Sequence, residues 1–141
     1  MTWYTSDIKR VSMKYFLSAA IALVFALIYE YFSHGVYSMS MLLAFLYPFI
    51  GGIIYIFLAV NLDSVRKAFR IASNLFMAGI ATLTVGGLFT GVLEIYGTTN
   101  KLMIVYKLLG SISLSFGIVL FLLCRLAYKR REENKNTPIA N

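Results

Sequence analysis

The sequence predicts an all-α integral membrane protein, a four-helix bundle with both termini in the cytoplasm, and three observations predict it. The 141 residues are 60% hydrophobic and 13% charged, with a mean hydropathy of +0.77, too little polar surface to clothe a soluble domain of this size. Four apolar runs separated by short polar stretches are each long enough to cross a hydrocarbon core of about 30 Å. Basic residues gather on alternate connections. The N-terminal flank (Lys9, Arg10, Lys14), the second connection (Arg66, Lys67, Arg70) and the C-terminal flank (Arg125, Lys129, Arg130, Arg131, Lys135) hold eleven, whereas the opposite side has only Lys101 and Lys107. By the positive-inside rule this puts the N-terminus and C-terminus in the cytoplasm of a multi-pass plasma-membrane protein.

The expected domain is 1–128, with helices over about 15–34, 38–60, 64–96 and 101–128, followed by a disordered polar tail over 129–141. The first helix is an unbroken apolar run apart from Glu30. The bulky approach Tyr29, Glu30, Tyr31 and Phe32 argues against a cleaved signal peptide. Gly35 ends this helix, and Ser38 or Ser40 caps the next. Pro48, followed by Gly51 and Gly52, removes a hydrogen bond to the Ala44 carbonyl, which predicts a kink in the outer half of the second helix. Asp63 is the expected N-cap of a third helix, whose basic foot (Arg66, Lys67, Arg70) lies in the headgroup region. Gly97 is its expected C-cap. Thr99 or Asn100 opens the fourth helix, which carries Gly110, Ser113 and Gly117 close to one face.

Two ridges of small side chains stand out at four-residue spacing. One runs Ser18, Ala22, Ala26, Glu30 and on to His34; the other runs Ala78, Thr82, Gly86, Thr90 and Glu94. Such ridges let another helix's backbone come close. A shift of 64 residues lays the first ridge on the second, although Pro48 then falls opposite Ile112, so a shared packing rule accounts for the likeness as well as a duplication does. Where the two ridges face each other, Glu30, His34 and Glu94 converge near the outer surface as a candidate metal or small-ligand site. The competing expectation pairs Glu30 and Glu94 with Lys101 and Lys107.

The excess of basic over acidic residues, 13 against 6, follows the membrane topology rather than a nucleic-acid surface. The single Cys124 excludes an intrachain disulfide and a cysteine metal cluster, and its place at the end of an apolar run reads as an inert thiol. There is no P-loop, no dinucleotide glycine pattern, no zinc-protease motif and no nucleophile with its base, so no cofactor is implied and catalysis has no residues to stand on.

The runs GIATLTVGGLFTGVLEIYGTTNKL (79–102) and YEYFSHGVYS (29–38) resemble a group of small, uncharacterised four-helix membrane proteins of Gram-positive bacteria, a resemblance that covers about half the chain. It implies a bacterial plasma membrane and no particular activity. Three functions are open at this point. The first is an accessory or scaffold subunit that packs within itself or against another membrane protein, a second copy included. The second is an ion, metal or small-ligand binder at Glu30, His34 and Glu94. The third is a minimal dimeric transporter.

Overall fold

The computed structural model describes residues 2–33, 35–59 and 66–136. All regular structure among them is helical: α1 (Thr2–Phe32), α2 (Met39–Leu42), α3 (Leu46–Ala59), α4 (Arg66–Ile95) and α5 (Met103–Asn136). Among the described residues, four segments are long and apolar enough to span a membrane: Ile8–Phe32, Met39–Ala59, Phe69–Ile95 and Met103–Arg130. The expected N-cap Asp63 lies outside the described residues.

Helix ends follow local chemistry. Ser38 is extended at the start of α2 and accepts a hydrogen bond from the Met41 amide at 3.2 Å, satisfying a donor that the first turn leaves orphaned. The second span changes to a 3-10 turn at Leu43–Phe45, directly before Pro48, where the proline withholds the amide that would bond the Ala44 carbonyl. At the end of α4, Gly97 takes φ +68°, its amide bonds the Glu94 carbonyl at 3.1 Å, and the Thr98 amide bonds the Leu93 carbonyl at 3.0 Å. This paired closure needs a left-handed residue, which glycine adopts at no steric cost. At the other end of the chain, α5 runs on to Asn136, so that the first eight residues of the tail expected to be disordered, 129–136, are helical. Its extension is rich in Lys, Arg and Glu, good helix formers, with Lys129 and Glu133 one turn apart.

Packing is uneven. The spine is α4: α5 lies along one side of it, and α2, the 3-10 turn and α3 lie along another. Between α1 and α4 contact is slight. The α4–α5 seam is close enough that a Cβ added at Gly79 would fall 2.6 Å from the Leu114 amide nitrogen and 3.0 Å from the Gly110 carbonyl oxygen. Ser113 strengthens the seam by donating to the Leu75 carbonyl at 3.1 Å. In lipid, burying apolar surface gives little drive for helix association, so such close packing and interhelical hydrogen bonds carry it.

The densest core lies at the end of the bundle nearer the chain termini. Tyr15 of α1, Tyr55 of α3, Phe76 of α4 and Phe121 of α5 are all nearly inaccessible. Their rings meet at 5.5 Å (Tyr15–Tyr55), 6.2 Å (Tyr15–Phe76), 6.1 Å (Phe76–Phe121) and 6.3 Å (Tyr55–Phe121), mostly edge to face. Each such pair adds about 0.5–1.5 kcal/mol beyond its burial. Cys124 is buried beside this cluster. Four helices are thereby tied at one end, which leaves the opposite end to be held by other means.

Candidate functional site

The opposite end is held by Glu94. The closing turn at Gly97 stops α4 just beyond Ile95, so the Glu94 carboxylate emerges beside the start of α2. There Ser38 Oγ donates to Glu94 Oε2 at 2.5 Å and Ser40 Oγ donates to Oε1 at 2.7 Å. Ser38 thus caps its own helix and grips a carboxylate 56 residues away. Lys107 adds its charge at longer range. The expected lysine pairing is therefore replaced by two serine hydroxyls, because the α1–α2 hairpin brings them to the carboxylate directly. Lys101 is exposed.

Close packing behind the clamp fixes its position. A Cβ on Gly91 would fall 2.9 Å from both the Cα and the amide nitrogen of Met41, and one on Gly87 would lie 3.2 Å from the Ala44 side chain. Met41 and Ala44 are fully inaccessible between their neighbours. The sequence singled out Ser38 and Ser40 as caps but not as partners of Glu94. The available signal was their shared membrane border.

Glu30 is placed differently. It continues the buried α1 ridge of Ala22 and Ala26 and is 8% exposed. Its Oε1 is buried with no hydrogen-bond partner. An acceptor left this way costs about 1–3 kcal/mol. One turn on, Ser33 Oγ lies 2.7 Å from the Glu30 carbonyl, which helps to close the helix. The expected third member, His34, lies outside the described residues. No group of three metal-ligating side chains is found among the described residues.

The two small-residue ridges do not face each other. Gly86 turns toward α5, where an added Cβ would meet the Tyr106 Cβ at 2.8 Å. Ala78 is exposed, and the Thr82 and Thr90 hydroxyls return to carbonyls of their own helix, Ala78 and Gly86, at 2.8 and 2.7 Å. On α1, Ala22 and Ala26 are buried while Ser18 is exposed. A four-residue ridge gives the close approach but not the identity of the helix that makes it. The ends of α1 and α4 nevertheless come near each other, where the Tyr29 and Tyr96 side chains adjoin.

Chemically, the arrangement offers one carboxylate already satisfied by hydroxyls and one buried carboxylate with an unpartnered oxygen. Comparison with protein-family models, with curated proteins and with solved structures finds no match.

Proposed function

We propose that this protein is a small membrane accessory or scaffold subunit that works through its packing surfaces. One observation carries the reading: apart from Glu30 Oε1 and the Tyr15 hydroxyl, which are buried without a partner, many polar side chains of the spans are engaged within the fold. Ser12, Ser18, Thr82, Thr84, Thr90 and Ser115 bond carbonyls of their own helices, Ser113 bonds α4, and Glu94 bonds the α1–α2 hairpin. Meanwhile α5 packs chiefly on α4 and turns a band of large apolar residues outward, including Leu108, Ile112, Phe116, Val119 and Leu123. The chain's charge asymmetry supports both termini being cytoplasmic, and the Gram-positive group it resembles points to a bacterial plasma membrane. A photo-crosslinking residue at Phe116 or Leu123, activated in native membranes, tests the reading. A discrete protein adduct is expected, and labelling of lipid alone at both positions overturns it.

A second reading, a binder of an ion or small ligand at the Glu30 end, is favoured by the unpartnered Glu30 Oε1. Elemental and optical analysis of the purified wild type beside Glu30→Gln tests it. A stoichiometric metal or chromophore lost in the variant supports the reading, and a clean, colourless wild type refutes it.

A further inference from the structure

The slight contact between α1 and α4 leaves a slot that the bundle does not fill. Two adjoining cavities of about 340 and 390 Å³ lie along it and share Ser18, Thr84 and Val85. On α1 the slot runs from Lys14 to Phe25 and on α4 from Met77 to Val92, about 17 and 23 Å at 1.5 Å per residue. One leaflet of hydrocarbon is about 15 Å deep, so the slot reaches from one surface to beyond the midplane. Pro48 of α3 contributes to its lining.

The two ends of the slot differ. Tyr29 and Tyr96 each stand one turn beyond the last lining residues, Phe25 and Val92, and their side chains adjoin at that end. Lys14 stands at the other end. Arg10 precedes Lys14 by one turn on α1, and Arg70 precedes Met77 by two turns on α4, so helical register extends both walls into exposed cations. On these flanks Lys9, Arg10, Lys14, Arg66, Lys67 and Arg70 outnumber Asp7 and Asp63.

The slot's chemistry selects its occupant. Ser18 Oγ donates to the Tyr15 carbonyl and Thr84 Oγ1 to the Ile80 carbonyl, both at 2.8 Å, so these two hydroxyls have spent their protons. The Tyr15 hydroxyl has no partner but is buried, Lys14 stands at the mouth, and the rest of the lining is apolar, so a polar solute would meet little to bond along the length of the slot. A second protein helix, 10–12 Å across with its side chains, is too wide for a slot whose walls still touch. A single hydrocarbon chain is narrow enough, and a phosphate attached to it would lie level with the basic mouth.

We propose that the α1–α4 slot binds one anionic glycerophospholipid, with an acyl chain between Ser18 and Val92 and the headgroup phosphate held by Lys14 with Arg10 and Arg70. Juxtamembrane cations attract anionic lipid in this way, and the Lys14 stem reaches along the apolar wall while its ammonium stays at the surface. The headgroup end of the site lies away from Glu94, and the proposal does not depend on the accessory-subunit reading.

The test reconstitutes the full chain with equimolar phosphatidylglycerol and phosphatidylcholine and reads retained lipid by native mass spectrometry. The expected result is one retained phosphatidylglycerol per chain in preference to phosphatidylcholine. That preference should fall about fivefold for each of Lys14→Gln and Arg70→Gln. Val85→Trp, which fills the slot, should abolish retention of both lipids with the melting temperature kept. Phosphatidylglycerol bearing a photoactivatable acyl chain, applied to the unsubstituted protein, should label peptides spanning Ser18–Phe25 and Thr84–Val92, a readout that needs no variant to fold. Equal retention of the two lipids, labelling confined to α5, or a second copy of the chain in the slot would each overturn the proposal.

Discussion

Gly79→Ala tests the α4–α5 seam by the sign of its effect. In an isolated helix the substitution is favourable by about 0.8–1.0 kcal/mol, since alanine is the better helix former. Here the new Cβ would fall 2.6 Å from the Leu114 amide nitrogen, 2.9 Å from the Leu114 Cα and 3.0 Å from the Gly110 carbonyl oxygen. An ordinary contact begins near 3.4 Å, so α5 must retreat by about 0.8 Å, the difference between 3.4 and 2.6. These neighbours are backbone atoms, which no rotamer change can move. A gap of that size forfeits about a quarter to a half of each neighbouring contact, and overpacking costs about 1–3 kcal/mol. The upper part of that range outweighs the propensity gain, for a net loss of about 1–2 kcal/mol. Equilibrium unfolding in mixed micelles, followed by far-ultraviolet circular dichroism, reads it directly. Unchanged or increased stability would refute the close seam, because propensity alone gives that result.

Three further outcomes are expected. Ser38→Ala combined with Ser40→Ala removes both donors to Glu94 and should cost about 1–2 kcal/mol after allowance for partial solvent screening, with faster hydrogen exchange confined to the α1–α2 hairpin and the end of α4; protection unchanged in both segments would contradict the clamp. Glu30→Met replaces a buried carboxylate that has an unpartnered oxygen and should be neutral or stabilising by about 1–3 kcal/mol in thermal unfolding. A loss above 2 kcal/mol would mean that Oε1 has a partner, which favours the ligand-binding reading. For topology, in a Cys124→Ser background an impermeant maleimide should label Tyr37→Cys on intact cells and Lys129→Cys only after permeabilisation; the reverse would overturn the basic-residue count. Tyr37 suits the assay because it is 75% exposed, whereas Ser38 is buried.

Local chemistry was legible in the sequence, and long-range pairing was not. Four spans follow from length and hydropathy, Gly97 closes α4 as its left-handed requirement predicts, Ser38 caps α2, and Pro48 disturbs the helix on its N-terminal side. Each of these depends on a few neighbouring residues. The partner of Gly86 does not: a small side chain permits close approach by any helix, and here Tyr106 of α5 makes it rather than the matching ridge of α1. The serine clamp on Glu94 links positions 56 and 54 residues apart and leaves no local spacing to read. The aromatic core was hidden for another reason. A span that is apolar on every side carries no periodicity to mark its buried face, so Tyr15 is sequestered while Phe16 and Leu17 beside it are exposed.

The central claim is that Gly86, in the small ridge of α4, packs against α5 and not against the ridge of α1. Disulfide trapping in membranes tests it most directly, with Gly86→Cys and Tyr106→Cys in a Cys124→Ser chain. The Cβ positions lie 2.8 Å apart as built, and a sub-ångström adjustment brings them to the roughly 3.5–4.5 Å that a disulfide needs. The account predicts rapid, near-complete crosslinking of this pair under mild oxidation and none between Gly86→Cys and Ala22→Cys. Crosslinking of the α1 pair in preference to the α5 pair would contradict it.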